Sequence, residues 1–261
     1  MTLSYDAFLV GDGPVLVLLH SSVCDRRMWE PQWQPLIDAG FRVVRCDFRG
    51  FGDTPAAERP HTHAGDVLEL LDVLGIDTAA LVGSSYGGRV ALEIAASSPE
   101  RVDSLALLCA APPEQPGSSG EDPSAELLAF ATQEEALLDR GDIAAAVELN
   151  VDTWLGPEAG SAARGAVRQM QHRAFDVQLG AGEEFDGGYG PVELSAVTAR
   201  CLAVSGRHDF VDFRTAARGL PDRIAGAIHR ELDWAGHFPG LERPAEVTAL
   251  LIAFLGTVRP V

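Results

Sequence analysis

Two periods of hydrophobicity alternate along this chain. Short, largely apolar runs are followed by longer segments in which apolar residues return every three or four positions. The runs "VLVLLH" (Val15–His20), "FRVVRCD" (Phe41–Asp47), "AALVGS" (from Ala79), "VDSLALLCA" (Val102–Ala110), "RCLAVSG" (Arg200–Gly206) and "AIHREL" (Ala227–Leu232) read as strands, mostly buried on both faces. Helical spacing predicts helices near Arg27–Ala39, over Thr62–Leu74, from Arg89 through Val90, Ala91, Ile94 and Ala95 to the stop at Pro99, and over Pro244–Leu255. Leu3–Val10 fits an antiparallel edge strand. Strand and helix taking turns predict an α/β fold, a mostly parallel sheet covered by helices on both faces.

One stretch breaks the alternation. From Pro112 to about Val197 the pattern holds no good strand. The turn-formers "PPEQPGSSGEDPS" lead into helical spacing at Ala125–Arg140, Ile143–Leu155 and Ala162–Leu179, and the glycine-rich "GAGEEFDGGYGP" follows. About 85 residues of mainly small side chains offer little core of their own, so this segment is expected to lie over the sheet as a helical lid. The expected division is a core of residues 1–111 and 198–261, with 112–197 as a lid inserted between its strands.

Composition narrows the partners. The net charge is −18, and all 20 basic residues are arginine. A surface this acidic argues against nucleic acid and anionic membranes, because binding to phosphates depends on clustered cations. No run reaches the roughly 18 apolar residues a membrane helix needs. The opening "MTLSYDAFLVGDGP" lacks the basic-then-apolar order of a secretory signal, so a cytoplasmic protein with a small-molecule substrate is expected. Homo-oligomerisation is not legible. Cys24, Cys46, Cys109 and Cys201 lie far apart with no C-x-x-C pair and read as unreactive thiols, three of them in apolar runs. Ligand spacing is missing among the histidines, so neither a metal nor a cofactor is expected.

The chemistry concentrates where "AALVGSSYGGRVALEI" passes from strand to helix with no room for a loop. In the pattern G-x-S-x-G the central serine occupies a strained turn above the sheet edge. Ser85 has Gly83 and Gly87 two residues to either side, whereas Ser84 would have Val82 and Tyr86, so Ser85 is the candidate nucleophile. A serine hydroxyl needs a base, and the base needs an orienting carboxylate. "GRHDF" leaves Asp209 just past the end of one strand, and "DWAGHFPGLERP" leaves His237 after the next, in the expected order of serine, acid and histidine. Asp212, the nearest rival, falls inside the following helix, while His20 ends a strand and orders the loop after it. Donors for an oxyanion are expected from the backbone N–H groups of Tyr86, directly after the nucleophile, and Ser22, in the loop "HSSVCDRRMW". Trp154, Met170, Phe175 and Phe185 are candidates to line an apolar acyl pocket, with lid packing as the rival role; Arg168 and Arg173 are candidates to meet a substrate carboxylate, with solvated helix faces as theirs.

Five landmarks in order, the loop at His20–Ser22, "DFRGFGDTP", "GSSYGG", "GRHD" and "AGHFPGLERP", resemble the α/β-hydrolase superfamily over nearly the whole chain. "SSVCDRRMWEPQW" is similar to a segment of 3-oxoadipate enol-lactonases. The loop departs from the family's usual His-Gly in reading His20-Ser21. The resemblance implies a serine hydrolase of small carboxylic esters or lactones working through an acyl-enzyme. Hydrolytic C–C cleavage of a diketone-like substrate, or a non-catalytic ligand receptor on the same fold, are its alternatives. The dehalogenases and epoxide hydrolases of this fold use aspartate as nucleophile, which a serine does not match.

Overall fold

The computed structural model describes residues 3–111, 122–181 and 192–256. Among the described residues, seven strands form one sheet in the order β1-β3-β2-β4-β5-β6-β7: β1 (Tyr5–Phe8), β2 (Val15–Leu19), β3 (Arg42–Cys46), β4 (Ala79–Ser84), β5 (Val102–Leu108), β6 (Arg200–Gly206) and β7 (Ile228–Leu232). Only β1 is antiparallel, pairing Tyr5 with Cys46 at the sheet edge; the other neighbours are parallel. The expected edge strand is thus present but confined to four residues.

The described residues form helices α1 (Glu30–Asp38), α2 (His63–Val73), α3 (Tyr86–Ser97), α4 (Ala125–Asp139), α5 (Ile143–Trp154), α6 (Ser161–Leu179), α7 (Val211–Gly219), α8 (Pro239–Glu242) and α9 (Pro244–Leu255). The first departs from the helix expected near Arg27–Ala39. A short 3-10 turn, Arg26–Trp29, starts under the side-chain cap of Asp25, and the α-helix begins only at Glu30, beside Pro31. A proline fits the first helical turn, where its missing N–H would be unpaired anyway.

Side chains alternate across β2: Val17 and Leu19 enter one core cluster, Leu16 and Leu18 the other, and all four are fully buried. The first cluster is closed by α2 and α3, through Val67, Leu70, Leu71, Val90 and Ile94. The second is closed by α1 and α9, and it also takes in Phe130, Val151, Trp154, Val167 and Met170 from α4–α6. A smaller cluster of Ala146, Val147 and Phe175 joins α5 to α6. All four cysteines are buried. Among the described residues, no helix is long and apolar enough to cross a membrane.

Candidate active site

Ser85 occupies the single residue between β4 and α3, with φ 52° and ψ −115°. A non-glycine residue in that region carries strain of about 1–3 kcal/mol and persists only where its surroundings hold it. Here the Ser85 N–H donates to the Leu108 carbonyl at 2.9 Å, and the Ser85 carbonyl accepts the N–H groups of Gly88 and Ala111, both at 2.9 Å. The glycines are required by contact. A Cβ on Gly83 would lie 2.4 Å from the Gly87 oxygen, and one on Gly87 would lie 2.3 Å from the Leu19 oxygen. Gly88 is equally confined, its Cβ falling 2.5 Å from that of Ala110. Ser84 belongs to the strand, with its hydroxyl buried and unpartnered among the described residues.

Two strands across, β6 ends at Gly206, and Asp209 follows on a turn closed by its N–H to the Gly206 carbonyl at 3.2 Å. One Asp209 oxygen accepts the Phe210 N–H at 2.8 Å; the other lies 2.7 Å from His237 Nδ1. Both side chains are almost wholly buried. With a carboxylate at Nδ1, that nitrogen carries the proton, and Nε2 is left with a lone pair. The loops bearing the two residues lie against each other. A Cβ on Gly206 would come within 1.9 Å of the Gly236 oxygen, and the His208 N–H donates to Ala235 at 2.9 Å. Trp154, Phe213 and Phe238 surround the His237 ring, with centroids at 4.5, 4.4 and 5.0 Å. This dry wall strengthens the charge-assisted bond to Asp209. Among the described residues, no hydrogen bond joins the Ser85 hydroxyl to His237.

The loop after β2 is ordered by His20. The buried ring accepts the Phe48 N–H at Nε2 (2.9 Å), which leaves Nδ1–H to donate to the Ser21 carbonyl at 2.7 Å. Ser21 stands where the family prefers glycine, yet its φ is not positive. Its hydroxyl accepts the Val23 N–H at 3.2 Å, and its carbonyl accepts that of Cys24 at 3.0 Å. A serine can therefore close this turn without strain. Ser22 is exposed at the turn. Tyr86 opens α3, and the approach of Gly87 to Leu19 and His20 sets this helix start directly beside the loop.

Several residues carry structure that sequence reasoning missed. Glu242, at the end of α8, is mostly buried and accepts the N–H groups of Gly236 (3.0 Å) and Phe238 (3.3 Å), on either side of His237, and of Gly156 (3.2 Å) beyond α5. Burial pushes its carboxyl above the ordinary range, and the three N–H groups pull the other way. The glutamate stood in plain view in "AGHFPGLERP", but nothing in its spacing marks three backbone partners. Among the described residues, Cys109 is the second non-glycine residue with positive φ (48°), and its sulfur lies within 4.8 Å of ligand atoms of Asp209 and His237. Burial, with Asp209 next in weight, raises its thiol well above the usual value, so it stays protonated and is a poor metal ligand.

The rival Asp212 lies in the first turn of α7 and is bound to the Ser124 N–H (2.8 Å) and hydroxyl (2.6 Å) at the start of α4. Trp154 and Met170 are buried in the second core cluster and Phe175 in the α5–α6 cluster. Phe185 lies outside the described residues. Arg168 pairs with Glu148, while Arg173 donates to the Gly52 carbonyl at 3.1 Å and lines a small surface cavity with Arg26, Arg27, Gly52, Asp53 and Gln169.

Comparison with known proteins agrees with this fold. Residues 14–138 match a family model described as the alpha/beta hydrolase fold. The chain is 28% identical over 271 residues to a protein of Variovorax paradoxus named "Putative carbamate hydrolase RutD", covering 99% of this chain and 97% of that one. The enol-lactonase of Burkholderia xenovorans superposes with a TM-score of 0.76 at 26% identity, covering 97% of this chain and 96% of that one. Est816, described as an N-acyl homoserine lactone degrading enzyme, superposes at 0.74 with 25% identity and the same coverage of both chains. With the sheet order, the serine turn and these matches in agreement, the chain has the α/β-hydrolase fold and is similar to members of that superfamily.

Proposed function

We infer that this hydrolase cleaves a small carboxylic ester or lactone through an acyl-enzyme carried on Ser85. The observation that carries this reading is the buried Asp209–His237 pair, at 2.7 Å, on the same sheet rim as the strained Ser85 turn. In this reading the Ser85 hydroxyl attacks the substrate carbonyl carbon as His237 Nε2 takes its proton. The negative charge that gathers on the carbonyl oxygen is met by the N–H groups of Tyr86 and Ser22. His237 then returns the proton to the leaving alcohol, which in a lactone stays attached through the acyl chain. Water adds to the acyl-enzyme with His237 again as base and releases the acid.

Residues 112–197 act in this proposal as a lid over the rim. The lid segment touches the histidine loop through Trp154, whose ring packs on His237 and whose carbonyl accepts the His237 N–H at 2.7 Å, and the Gly156 N–H reaches Glu242 just beyond that loop. The lactonase neighbours, whose substrates are cyclic esters by name, support the ester and lactone reading. The test is labelling with a fluorophosphonate, followed by peptide mass analysis, alongside turnover of p-nitrophenyl acetate and a panel of lactones. We expect one label, on Ser85, and a fall in turnover of at least about 10⁴-fold in Ser85→Ala. Labelling elsewhere, or unchanged turnover in that variant, would overturn the assignment.

A further inference from the structure

A second cluster of reactive side chains lies outside the rim, where the chain enters α2. His61 and His63 flank Thr62, whose backbone is extended (φ −133°, ψ 140°). In extended chain, residues two apart point to the same side, so the two imidazoles face one another. Their ring centroids are 4.8 Å apart and their planes nearly perpendicular (86°). His63 opens the helix, and Asp66 lies three residues on, one turn along the same face. One ligand-type atom from each of His61, His63 and Asp66 lies within 4.8 Å of the others.

What distinguishes this cluster from an ordinary surface patch is its unmet hydrogen bonding. His63 is 8% exposed. Nδ1 and Nε2 of His61, and Nδ1 of His63, are buried with no hydrogen-bond partner among the described residues. Each such group gives up its hydrogen bonds to water on burial and gains none in return. Native structures rarely tolerate three side by side without a bound water or ion. Asp66 is oriented from behind by Arg49, whose Nε and an Nη donate to the two carboxylate oxygens at 2.7 and 2.8 Å. A carboxylate has about four lone-pair sites, so this fork leaves capacity for a third partner.

We propose that His61, His63 and Asp66 form a binding site for a single divalent transition-metal ion of the zinc type. Two imidazoles and one carboxylate are borderline donors that suit such an ion and not calcium or magnesium, which take all-oxygen shells. Ligands on one tetrahedral zinc stand about 3.3 Å apart, given bonds of about 2.0–2.1 Å. Closing from the present spacing takes side-chain rotations that bring the ligand atoms up to about 1.5 Å closer together, with the fourth position open to water beside the half-buried His61. Asp66, held by Arg49, supplies both an oxygen and the orientation of that oxygen. Filling the site would give the stranded imidazole nitrogens their partner and pin the segment before α2 to the helix.

The test uses the full-length protein, free of any affinity tag and stripped with a chelator, titrated with Zn²⁺ against a chromogenic competitor and separately with Co²⁺. We expect one equivalent of Zn²⁺ to bind, with a visible Co²⁺ spectrum of four-coordinate type. His61→Ala should weaken binding by more than 10-fold, and Asp66→Asn by about 10- to 100-fold. His172→Ala, on the exposed face of α6, should leave it unchanged. His61 precedes the helix and makes no hydrogen bond among the described residues, so its loss leaves the fold intact, as circular dichroism would check. The site is refuted if no equivalent binds, or if binding survives unchanged in the His61→Ala, His63→Ala double variant.

Discussion

At the scale of single residues, Glu242 shows how much of a site rests on groups that touch no substrate. Its carboxylate holds the backbone N–H groups of Gly236 and Phe238 and so fixes where the His237 ring points. Glu242→Ala would strand those two and the Gly156 N–H in a mostly buried place. Hydrogen bonds to a charged group contribute about 1.5–3 kcal/mol each, so the loss of all three should cost at least about 4 kcal/mol in urea unfolding. In the proposed reaction kcat should fall more than KM rises, because the base loses its orientation and not its substrate. Glu242→Gln keeps one acceptor oxygen and should recover part of both losses. The glycines give an equally sharp contrast. Gly87→Ala drives a Cβ to 2.3 Å from the Leu19 oxygen, backbone that cannot give way, and should destabilise by several kcal/mol or prevent folding. Gly165→Ala, within α6, meets nothing within 4 Å and should stabilise by about 0.5–1 kcal/mol, seen as a rise in Tm. The sequence marks Gly87 as part of the serine-turn pattern and Gly165 only as a glycine in a helical stretch, and the distance to the neighbouring backbone gives the contrast its size.

At the scale of elements, the loop between β2 and α1 depends on a neutral His20. Burial pushes this imidazole below its ordinary value of 6.5, against the pull of Asp47 and the bond to the Ser21 carbonyl. A depressed value in the folded state means that the unfolded chain takes up more protons below about pH 6.5. Stability therefore falls as pH drops through that value. The geometry agrees, since a protonated Nε2 would set a second donor against the Phe48 N–H. Unfolding free energies measured in urea at steps between about pH 7.5 and 5 should decline in the native chain. The decline should be shallower in His20→Gln, whatever that variant's absolute stability. Strands and helices were legible because burial on two faces and a 3.6-residue stripe leave different periods in the sequence. The split of the first helix at Glu30 was not, because the capping reach of Asp25 competes with a continuous apolar stripe through Met28, Trp29 and Leu36.

At the scale of the molecule, 38 acidic groups against 20 arginines leave the folded chain repelling itself. Part of that charge is gathered into networks, the densest around Arg26, which meets Asp6, Asp47 and Asp53. The unpaired excess is exposed to solvent, where salt screens it over about 8–10 Å. Adding sodium chloride from low to physiological ionic strength should therefore raise Tm, and an osmotically matched sugar should not reproduce the dependence on ionic strength. A fall in Tm over that range would mean that the attractive networks outweigh the repulsion.

Local order was readable along the chain. The elements, the serine turn and the succession of serine, acid and histidine follow from residue type and spacing, because tight turns select glycine and buried strands select runs of apolar side chains. Pairings across long separations were left to the folded molecule. Asp209 and His237 come within 2.7 Å because β6 and β7 lie side by side and two glycines let their loops touch. Glu242 finds its three donors, and Arg49 joins Asp66 beneath two histidines, only where separate elements pack together. Such contacts are set by distance in space, and a linear sequence records no distance between residues that folding alone makes neighbours.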